Sequence, residues 1–197
     1  MSSSEHRAFI EQTIRQSMDL KQRLLQDETL LQGIGEAAEL CLDCFREGNR
    51  LLIAGNGGSA ADAQHIAAEF VCRFNYERPG LPAMALATNY SVMTAAGNDY
   101  SFEQVFQREL EANGRAGDLF IGISTSGNSQ NILNALESCE RLGIRSIGLA
   151  GEGGRIREAA DLCLSVPSDC TPRIQECHIL IGHILCEIVE NRLFPRL

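Results

Sequence analysis

The sequence predicts an α/β fold: a doubly wound, mostly parallel five-stranded sheet flanked by helices, with an N-terminal helical pair ahead of it. Three observations support this fold class. From residue 50 onward, short apolar runs alternate with amphipathic stretches. The runs are apolar on both faces, as strands covered by helices on both sides must be. The length of 197 residues suits one such domain with an appendage.

The first part of the chain predicts two amphipathic helices within residues 5–47. Asp27 and Thr29 offer a cap between the two helices, and Gly48-Asn49 ends the second. We therefore divide the chain into a helical segment, 1–47, and a sheet domain, 48–197. The segment has apolar faces to bury, so it packs on the domain or on a neighbouring subunit. The apolar positions of its first helix are Ile10, Ile14, Met18, Leu24 and Leu25.

Alternation of short apolar runs with amphipathic stretches predicts the strands and helices of the sheet domain. The expected strands are Leu51–Ala54, Ala83–Ala87, Leu119–Ser124, Ser146–Ala150 and Leu162–Val166. The expected helices lie near residues 58–73, 103–112, 129–142, 154–160 and 173–192. Ligands of such sheets bind beyond the carboxyl ends of the strands, so the turns that follow the strands are the places to search for a site.

Charge and hydropathy narrow the class of partner. The chain has 17 Lys and Arg against 26 Asp and Glu, a net charge of −9. Nucleic-acid binders concentrate basic residues, so nucleic acid is not the expected partner, whereas a small phosphorylated ligand remains possible. The beginning of the sequence lacks the pattern of a secretory signal, and no apolar run approaches the ~20 residues that span a bilayer. We expect a cytoplasmic protein without a membrane partner.

The eight cysteines do not predict a disulfide scaffold or a metal site. Most stand in apolar runs, and Cys170 alone lies in a loop-like stretch. Cys41 and Cys44 form a C-x-x-C pair without the second pair that a zinc site needs. We expect most of the eight cysteines to be small packing residues in a reducing compartment.

Two turns carry the residues most suited to a ligand. Gly55–Ser59 follows the first strand and Ser124–Ser129 follows the third. The second turn places hydroxyls and backbone N–H groups at a helix N-terminus, which suits a phosphate monoester, although Ser, Asn and Gly are also ordinary capping residues. The first turn lacks the third glycine of a dinucleotide motif, where Ala60 stands, and it lacks the Lys of a P-loop.

Histidines and a glutamate recur on two of the predicted helices. His65 and Glu69 are four residues apart and therefore share a helix face. Gln175, His178 and His183 lie on the last helix. Gln175 and His183 are separated by about 80° around the axis, so they can face one cleft. Each has an ordinary alternative: a packing histidine, a surface ion pair, or a glutamine that zinc seldom takes.

Five segments occur in an order that is typical of one superfamily. They are Ala54–Ser59, Asp62–His65, Ala96–Asp99, Gly122–Ser129 and Arg173–His178. Together with the helical N-terminus they resemble the sugar isomerase (SIS) superfamily and, within it, the phosphoheptose isomerase family. The resemblance implies a flavodoxin-like sheet, with residues 48–197 as a SIS domain that binds a sugar phosphate.

The resemblance also implies an activity. Members interconvert sedoheptulose 7-phosphate and D-glycero-D-manno-heptose 7-phosphate through an enediol, in heptose precursor biosynthesis for lipopolysaccharide core. The resemblance further implies one zinc per subunit and a homotetramer with active sites between subunits.

Residue by residue, the resemblance implies the following site. The acid/base pair is Glu69 and His183, and Arg73 is a further contact. The zinc ligands are His65, Glu69, Gln175 and His183. The substrate-binding residues are Asn56, Gly57, Gly58, Glu69, Asn98, Asp99, Ser124, Thr125, Ser126, Ser129 and Gln175.

A non-catalytic SIS protein that binds the replication initiator or senses a sugar phosphate is the alternative. Proteins of the initiator-binding kind share a Leu-Phe-Pro near the end, as at 193–195, but they lack parts of the acid/base set. Because Glu69 and His183 are both present, the enzyme is favoured. One departure concerns Pro172, which stands where some members carry an acidic residue. Asp169 is three residues earlier, and we give it no catalytic role.

Overall fold

The computed structural model describes residues 3–196 and contains one sheet in which every strand is parallel to its neighbours. Its strands are β1 (Leu51–Gly55), β2 (Ala83–Ala85), β3 (Leu119–Ser124), β4 (Arg145–Ala150) and β5 (Leu162–Ser165). Their order is β2-β1-β3-β4-β5. The predicted fold class is confirmed, and the order reverses between β1 and β3, which is where sheets of this kind bind ligands.

Helices cover both faces of the sheet. They are α1 (Ser3–Gln26), α2 (Glu28–Arg46), α3 (Gly58–Val71), α4 (Tyr90–Asp99), α5 (Val105–Asn113), α6 (Gln130–Leu142), α7 (Ile156–Ala159) and α8 (Thr171–Leu193). Successive strand side chains point to opposite faces. Thus Leu51 and Ile53 join the core under α2, α3 and α8, whereas Leu52 and Ala54 join the core under α5 and α6.

The N-terminal helices pack against the last helix. α2 contacts α8 and β5, and α1 contacts α8. The cap predicted at Asp27 is present, since its side chain accepts a hydrogen bond from the Leu30 N–H at 3.0 Å. Along α1 only Leu20 and Leu24 are buried. The predicted apolar positions Ile10, Ile14, Met18 and Leu25 are between 54 and 64% exposed on the single chain.

The element after β2 differs from the prediction. The strand ends at Ala85 rather than at Ala87, which adopts a left-handed conformation with φ of 58°. A helix that the periodicity did not predict, α4, then begins behind the cap Asn89, whose side chain accepts hydrogen bonds from two N–H groups. Only Ala96 of α4 is buried, so the helix lacks the apolar stripe by which helices are recognised. Within residues 3–196, no helix is both long and apolar enough to cross a bilayer.

The cysteines are free thiols, and most of them are packing residues, as expected. Cys41, Cys44, Cys139, Cys177 and Cys186 are buried, and burial raises the pKa of each of these thiols. A raised pKa keeps the thiol protonated and unreactive. Cys72 is the exception among the apolar runs, because it follows the last turn of α3 and is exposed.

His178 is a packing residue whose burial has a measurable consequence. Its side chain is fully buried, Nε2 lies 3.1 Å from the Ala150 carbonyl oxygen, and burial lowers its pKa to about 4. The pKa of this histidine is 6.5 in the unfolded chain. Below that pH the unfolded chain binds a proton at His178, whereas the folded chain does not. We therefore expect unfolding free energy to fall by up to about 3 kcal/mol between pH 6.5 and 4.

Urea unfolding at a series of pH values measures this loss. Glutamine at position 178 keeps an N–H donor for Ala150 but cannot titrate, so His178→Gln should show a shallower dependence over the same range. Equal slopes in the two proteins would contradict the assignment.

Candidate active site

The two polar turns lie side by side at the carboxyl edge of the sheet. β1 and β3 are neighbours, with Gly55 in register with Ile123, so the turns that follow them start next to each other. Asn56, in the first turn, and Asn131, in the first turn of α6, exchange two amide hydrogen bonds, each 2.9 Å long. The reciprocal pair fixes the glycine turn against the helix that follows the hydroxyl-rich turn.

The hydroxyl-rich turn is organised by its own side chains. Ser124 Oγ donates to Ser129 Oγ at 2.9 Å and accepts from the Ser129 N–H at 3.3 Å. The Asn128 N–H donates to Ser126 Oγ at 3.2 Å. Ser129 is the N-cap residue of α6, yet its side chain does not cap the helix. The first N–H groups of α6 are thus left without a side-chain acceptor, the condition under which a helix N-terminus binds an anion.

His65 and His183 meet between α3 and α8. Their Nε2 atoms lie 3.0 Å apart, and the ring centroids are 5.1 Å apart. Glu69 Oε1 lies 3.2 Å from His65 Nε2. The Phe74 ring closes one side, with its centroid 5.5 Å from that of His183. The structure therefore brings together three of the side chains that the sequence singled out, from helices more than a hundred residues apart.

The helices can approach closely because of Gly182. A Cβ at this position would lie 2.5 Å from Ile66 Cδ1, so a larger side chain would require Ile66 to shift or the two helices to separate. His183 follows directly, and its ring reaches His65 across this contact.

His65 Nε2 cannot form good hydrogen bonds with both of its neighbours at once. His65 Nε2 has room for one proton or one lone pair, but both Glu69 Oε1 and His183 Nε2 lie within hydrogen-bonding distance of it. If it carries a proton, only one neighbour can receive it well; if it does not, its lone pair faces a carboxylate. A cation shared by the three atoms would remove this conflict, because all three could then act as ligands. Within residues 3–196, no group of three or more His, Cys, Asp or Glu side chains has the arrangement of a metal site.

Asp62 adds a fourth titratable group that the sequence reasoning did not single out. It is three residues before His65 and seven before Glu69, and thus on the same face of α3. Its Oδ2 atom is buried and has no hydrogen-bond partner among the described residues. Burial raises the pKa of the Asp62 carboxyl, an effect that His65 and His183 partly offset. Its signal in the sequence is the spacing i, i+3, i+7.

Gln175 lies over the start of α3. A Cβ on Gly58 would lie 2.5 Å from Gln175 Nε2 and 3.1 Å from its Oε1. Gly57, the N-cap residue of α3, has φ of 56°, a conformation that glycine adopts without strain. The two glycines therefore let the turn bend and let the Gln175 amide lie directly on its backbone.

Other predicted residues lie apart from this cluster in the single chain. Asn98 donates to Asp99 Oδ1 at 2.9 Å, and both are exposed at the end of α4. Asp99 lines a groove of about 560 Å³ together with Tyr100 and Arg108. Arg73 is exposed just beyond α3. Among residues 3–196, no hydrogen bond joins these side chains to the histidines.

Comparisons with known proteins identify the family. The SIS domain model matches residues 14–151. A phosphoheptose isomerase from Aneurinibacillus thermoaerophilus is 54% identical over 187 residues, which are 94% of each chain. One from Sulfurimonas denitrificans is 52% identical over 94% of this chain and 96% of its own length. The chain belongs to the phosphoheptose isomerase family.

Solved structures of phosphoheptose isomerases agree with the fold. The protein from Neisseria gonorrhoeae is 40% identical, with a TM-score of 0.88 over 94% of this chain and 98% of that one. The protein from Francisella tularensis is 36% identical, with a TM-score of 0.89 over 97% and 100%. Because the curated relatives are isomerases, the alternative of a non-catalytic SIS protein is not favoured.

Substitution of Gly58 tests whether this member of the phosphoheptose isomerase family needs the Gln175 amide at its observed position. Alanine at position 58 would displace the Gln175 amide, whose flexible end can swing away, so unfolding free energy should change by less than about 1 kcal/mol. A displacement of about 1 Å in a positioning group can lower turnover up to about 100-fold, and we expect kcat/KM to fall at least about tenfold.

Steady-state kinetics and urea unfolding measure the two effects separately. Gly35→Ala is the matched control, since a Cβ there on α2 would meet nothing within 4 Å. Unchanged kcat/KM in Gly58→Ala would show that the Gln175 amide is not needed where it lies.

Proposed function

We propose that this chain isomerises sedoheptulose 7-phosphate to D-glycero-D-manno-heptose 7-phosphate, in heptose precursor biosynthesis for lipopolysaccharide core. The observation that carries the proposal is the meeting of Glu69, His65 and His183 in a chain that also has a hydroxyl-rich turn at a helix N-terminus. An isomerase that acts on a sugar phosphate needs a phosphate anchor at one end of its substrate and proton-transfer groups at the other.

The phosphate is held by the turn after β3. Ser124, Thr125, Ser126 and Ser129 supply hydroxyls, and the N-terminus of α6 supplies N–H groups and the positive end of its dipole. No lysine is required, so a net charge of −9 is no obstacle. The remaining contacts are made by Asn56, Gly57, Gly58, Glu69, Asn98, Asp99 and Gln175.

Glu69 and His183 carry the proton transfer. In the direction from ketose to aldose, one group removes a proton from C1 and the other donates a proton to the carbonyl oxygen at C2, which gives the enediol. A proton is then returned to C2 while the C1 hydroxyl loses one, which leaves the aldehyde. Both side chains lie within 3.2 Å of His65 Nε2, so the two groups of the pair lie close enough to act on neighbouring atoms of one substrate.

His65, His183 and Glu69 are of the types that zinc binds, although the described side chains do not already stand in the arrangement of a metal site. His65, His183, Glu69 and Gln175 would hold the zinc ion, with two imidazole nitrogens and two oxygens, and a cation relieves the conflict at His65 Nε2. When bound, the metal would polarise the carbonyl and orient the hydroxyls of the open-chain sugar. A nitrogen that binds metal has no lone pair for a proton, so His183 Nε2 would not hold zinc and take up a proton at the same time.

The active assembly is a homotetramer in the cytoplasm, with sites completed between subunits. Two features support this. Phe9, Ile10, Ile14 and Met18 leave an apolar face of α1 between 54 and 63% exposed, which a neighbour would bury. The exposed Asn98 and Asp99 lie apart from the histidines of their own chain, as residues that serve a neighbour's site would.

The direct test is turnover of sedoheptulose 7-phosphate by the purified, zinc-replete protein, with the heptose product resolved by NMR. Elemental analysis and removal of metal by a chelator report on zinc in the same preparation. Absence of turnover, together with binding to the replication initiator, would overturn the proposal in favour of the non-catalytic reading.

A further inference from the structure

Arg78 and Glu190 form an ion pair that is almost completely shielded from water. Arg78 Nε donates to Glu190 Oε1 at 3.2 Å, and the two side chains are 2% and 0% exposed. Charges are retained at such a depth only where their hydrogen-bonding groups are satisfied. The groups that satisfy these two residues include the Glu69 carbonyl and the backbone of Phe74, whose ring packs on His183.

The Arg78 guanidinium caps the end of α3. Nη2 donates to the Glu69 carbonyl oxygen at 2.8 Å, and Nη1 donates to the Phe70 carbonyl oxygen at 2.6 Å. The last carbonyls of a helix lack partners within the helix, and a positive charge there also interacts favourably with the helix dipole. Glu69 belongs to this last turn, so Arg78 holds the backbone from which the Glu69 side chain projects.

The Glu190 carboxylate holds the segment that follows α3. Its oxygens accept hydrogen bonds from the Phe74 N–H at 2.9 Å and the Asn75 N–H at 2.7 Å. The Phe74 ring lies against the His183 ring, with centroids 5.5 Å apart. His183 and Glu190 are seven residues apart and share one face of α8, so the same face carries the histidine and the support of its aromatic neighbour.

We propose that the Arg78–Glu190 pair positions Glu69 and His183 for proton transfer. Arg78 acts through the Glu69 backbone, and Glu190 acts through Phe74, so neither needs to touch the substrate. The inference rests on the acid/base roles of Glu69 and His183 given under the proposed function. It makes the pair a determinant of turnover rather than of phosphate binding, since the phosphate turn lies between β3 and α6.

Glu190→Gln is the main test, because glutamine keeps the size of the side chain and removes its charge. Asp118→Asn is the matched control. The Asp118 side chain is also 0% exposed, and it accepts from the Arg50 N–H at 2.9 Å and the Arg115 N–H at 3.0 Å. It directly precedes β3, at the amino edge of the sheet, whereas the two polar turns follow the carboxyl ends of β1 and β3. Both substitutions remove a buried charge that binds two backbone N–H groups.

We expect kcat of Glu190→Gln to fall roughly 10- to 100-fold while KM changes less than about threefold. Asp118→Asn should keep its kcat even where its unfolding midpoint falls as far. Added to Glu69→Gln, the Glu190 substitution should cause no further loss, since the group that it positions is gone. Equal losses of kcat in Glu190→Gln and Asp118→Asn, or a change in KM alone, would overturn the proposal.

Arg78→Lys keeps the test decisive should Glu190→Gln not fold. Lysine retains the charge but cannot reach Glu190 and two carbonyls at once, so the same selective loss of kcat is expected. Wild-type kcat in Arg78→Lys would overturn the proposal. Glu69→Gln measured in parallel distinguishes failure of this inference from failure of the proposed function. If Glu69→Gln turns over as fast as the wild type, the proposed acid/base assignment itself has failed.

Discussion

Replacing Glu69 by glutamine is expected to lower kcat at least about 1,000-fold while the protein stays folded. Glutamine keeps the shape of the side chain and can still hydrogen-bond to His65 Nε2, which lies 3.2 Å from Glu69 Oε1, but it cannot take up a proton. Its side chain is 26% exposed, so the substitution leaves no cavity and buries no unpaired charge. His183→Gln should cause a loss of the same order, because the other half of the proton transfer is removed.

Initial rates with sedoheptulose 7-phosphate measure the loss, and urea unfolding verifies the fold. Glu187→Gln is the control, an exposed carboxylate on α8 outside the cluster. The acid/base assignment is wrong if Glu69→Gln and His183→Gln both retain more than about a tenth of the wild-type kcat.

Alanine at position 127 is expected to damage both stability and phosphate binding. Gly127 has φ of 66°, and a Cβ there would lie 2.3 Å from the Gly153 carbonyl oxygen and 3.0 Å from Ile156 Cγ2. The left-handed conformation costs a residue with a Cβ about 1–2 kcal/mol, and the overlap adds about 1–3 kcal/mol. Because Gly127 lies inside the hydroxyl-rich turn, relief of the overlap moves Ser126 and Asn128 with it.

We therefore expect unfolding free energy to fall by about 2–5 kcal/mol and KM to rise at least about tenfold in Gly127→Ala. Gly153→Ala is the control from the facing loop, since a Cβ there meets nothing within 4 Å. A variant of Gly127 with unchanged KM would show that the phosphate does not depend on the shape of this turn.

The fold was largely predictable because its signals are local. Runs such as Leu119–Ser124 are apolar on both faces and are followed by turn residues, so the strands and both polar turns lie where the sequence put them. α4 was not predictable from periodicity, since only Ala96 of that helix is buried. Ala87 left the predicted strand because its N–H is bound by the buried Glu109 carboxylate, a contact between residues 22 positions apart.

The site was predictable in part. The shared face of His65 and Glu69 follows from helix geometry, whereas the 3.0 Å contact with His183 depends on how α3 packs on α8. Arg78 and Glu190 carry no spacing signal, because their partners are backbone atoms of other segments. Polar residues whose role is to hold backbone are indistinguishable in a sequence from solvated ones.

The amide pair between Asn56 and Asn131 has a consequence for how the enzyme responds to its medium. Neither side chain titrates, and a contact between neutral dipoles is little affected by salt. The adjoining turn, Ser124–Ser129, also contains no ionisable side chain. The turn that we propose as the anchor for the sugar phosphate should therefore keep one shape from acid to neutral pH. A change in its affinity near pH 6 would then report the second ionisation of the substrate's own phosphate, whose pKa is about 6.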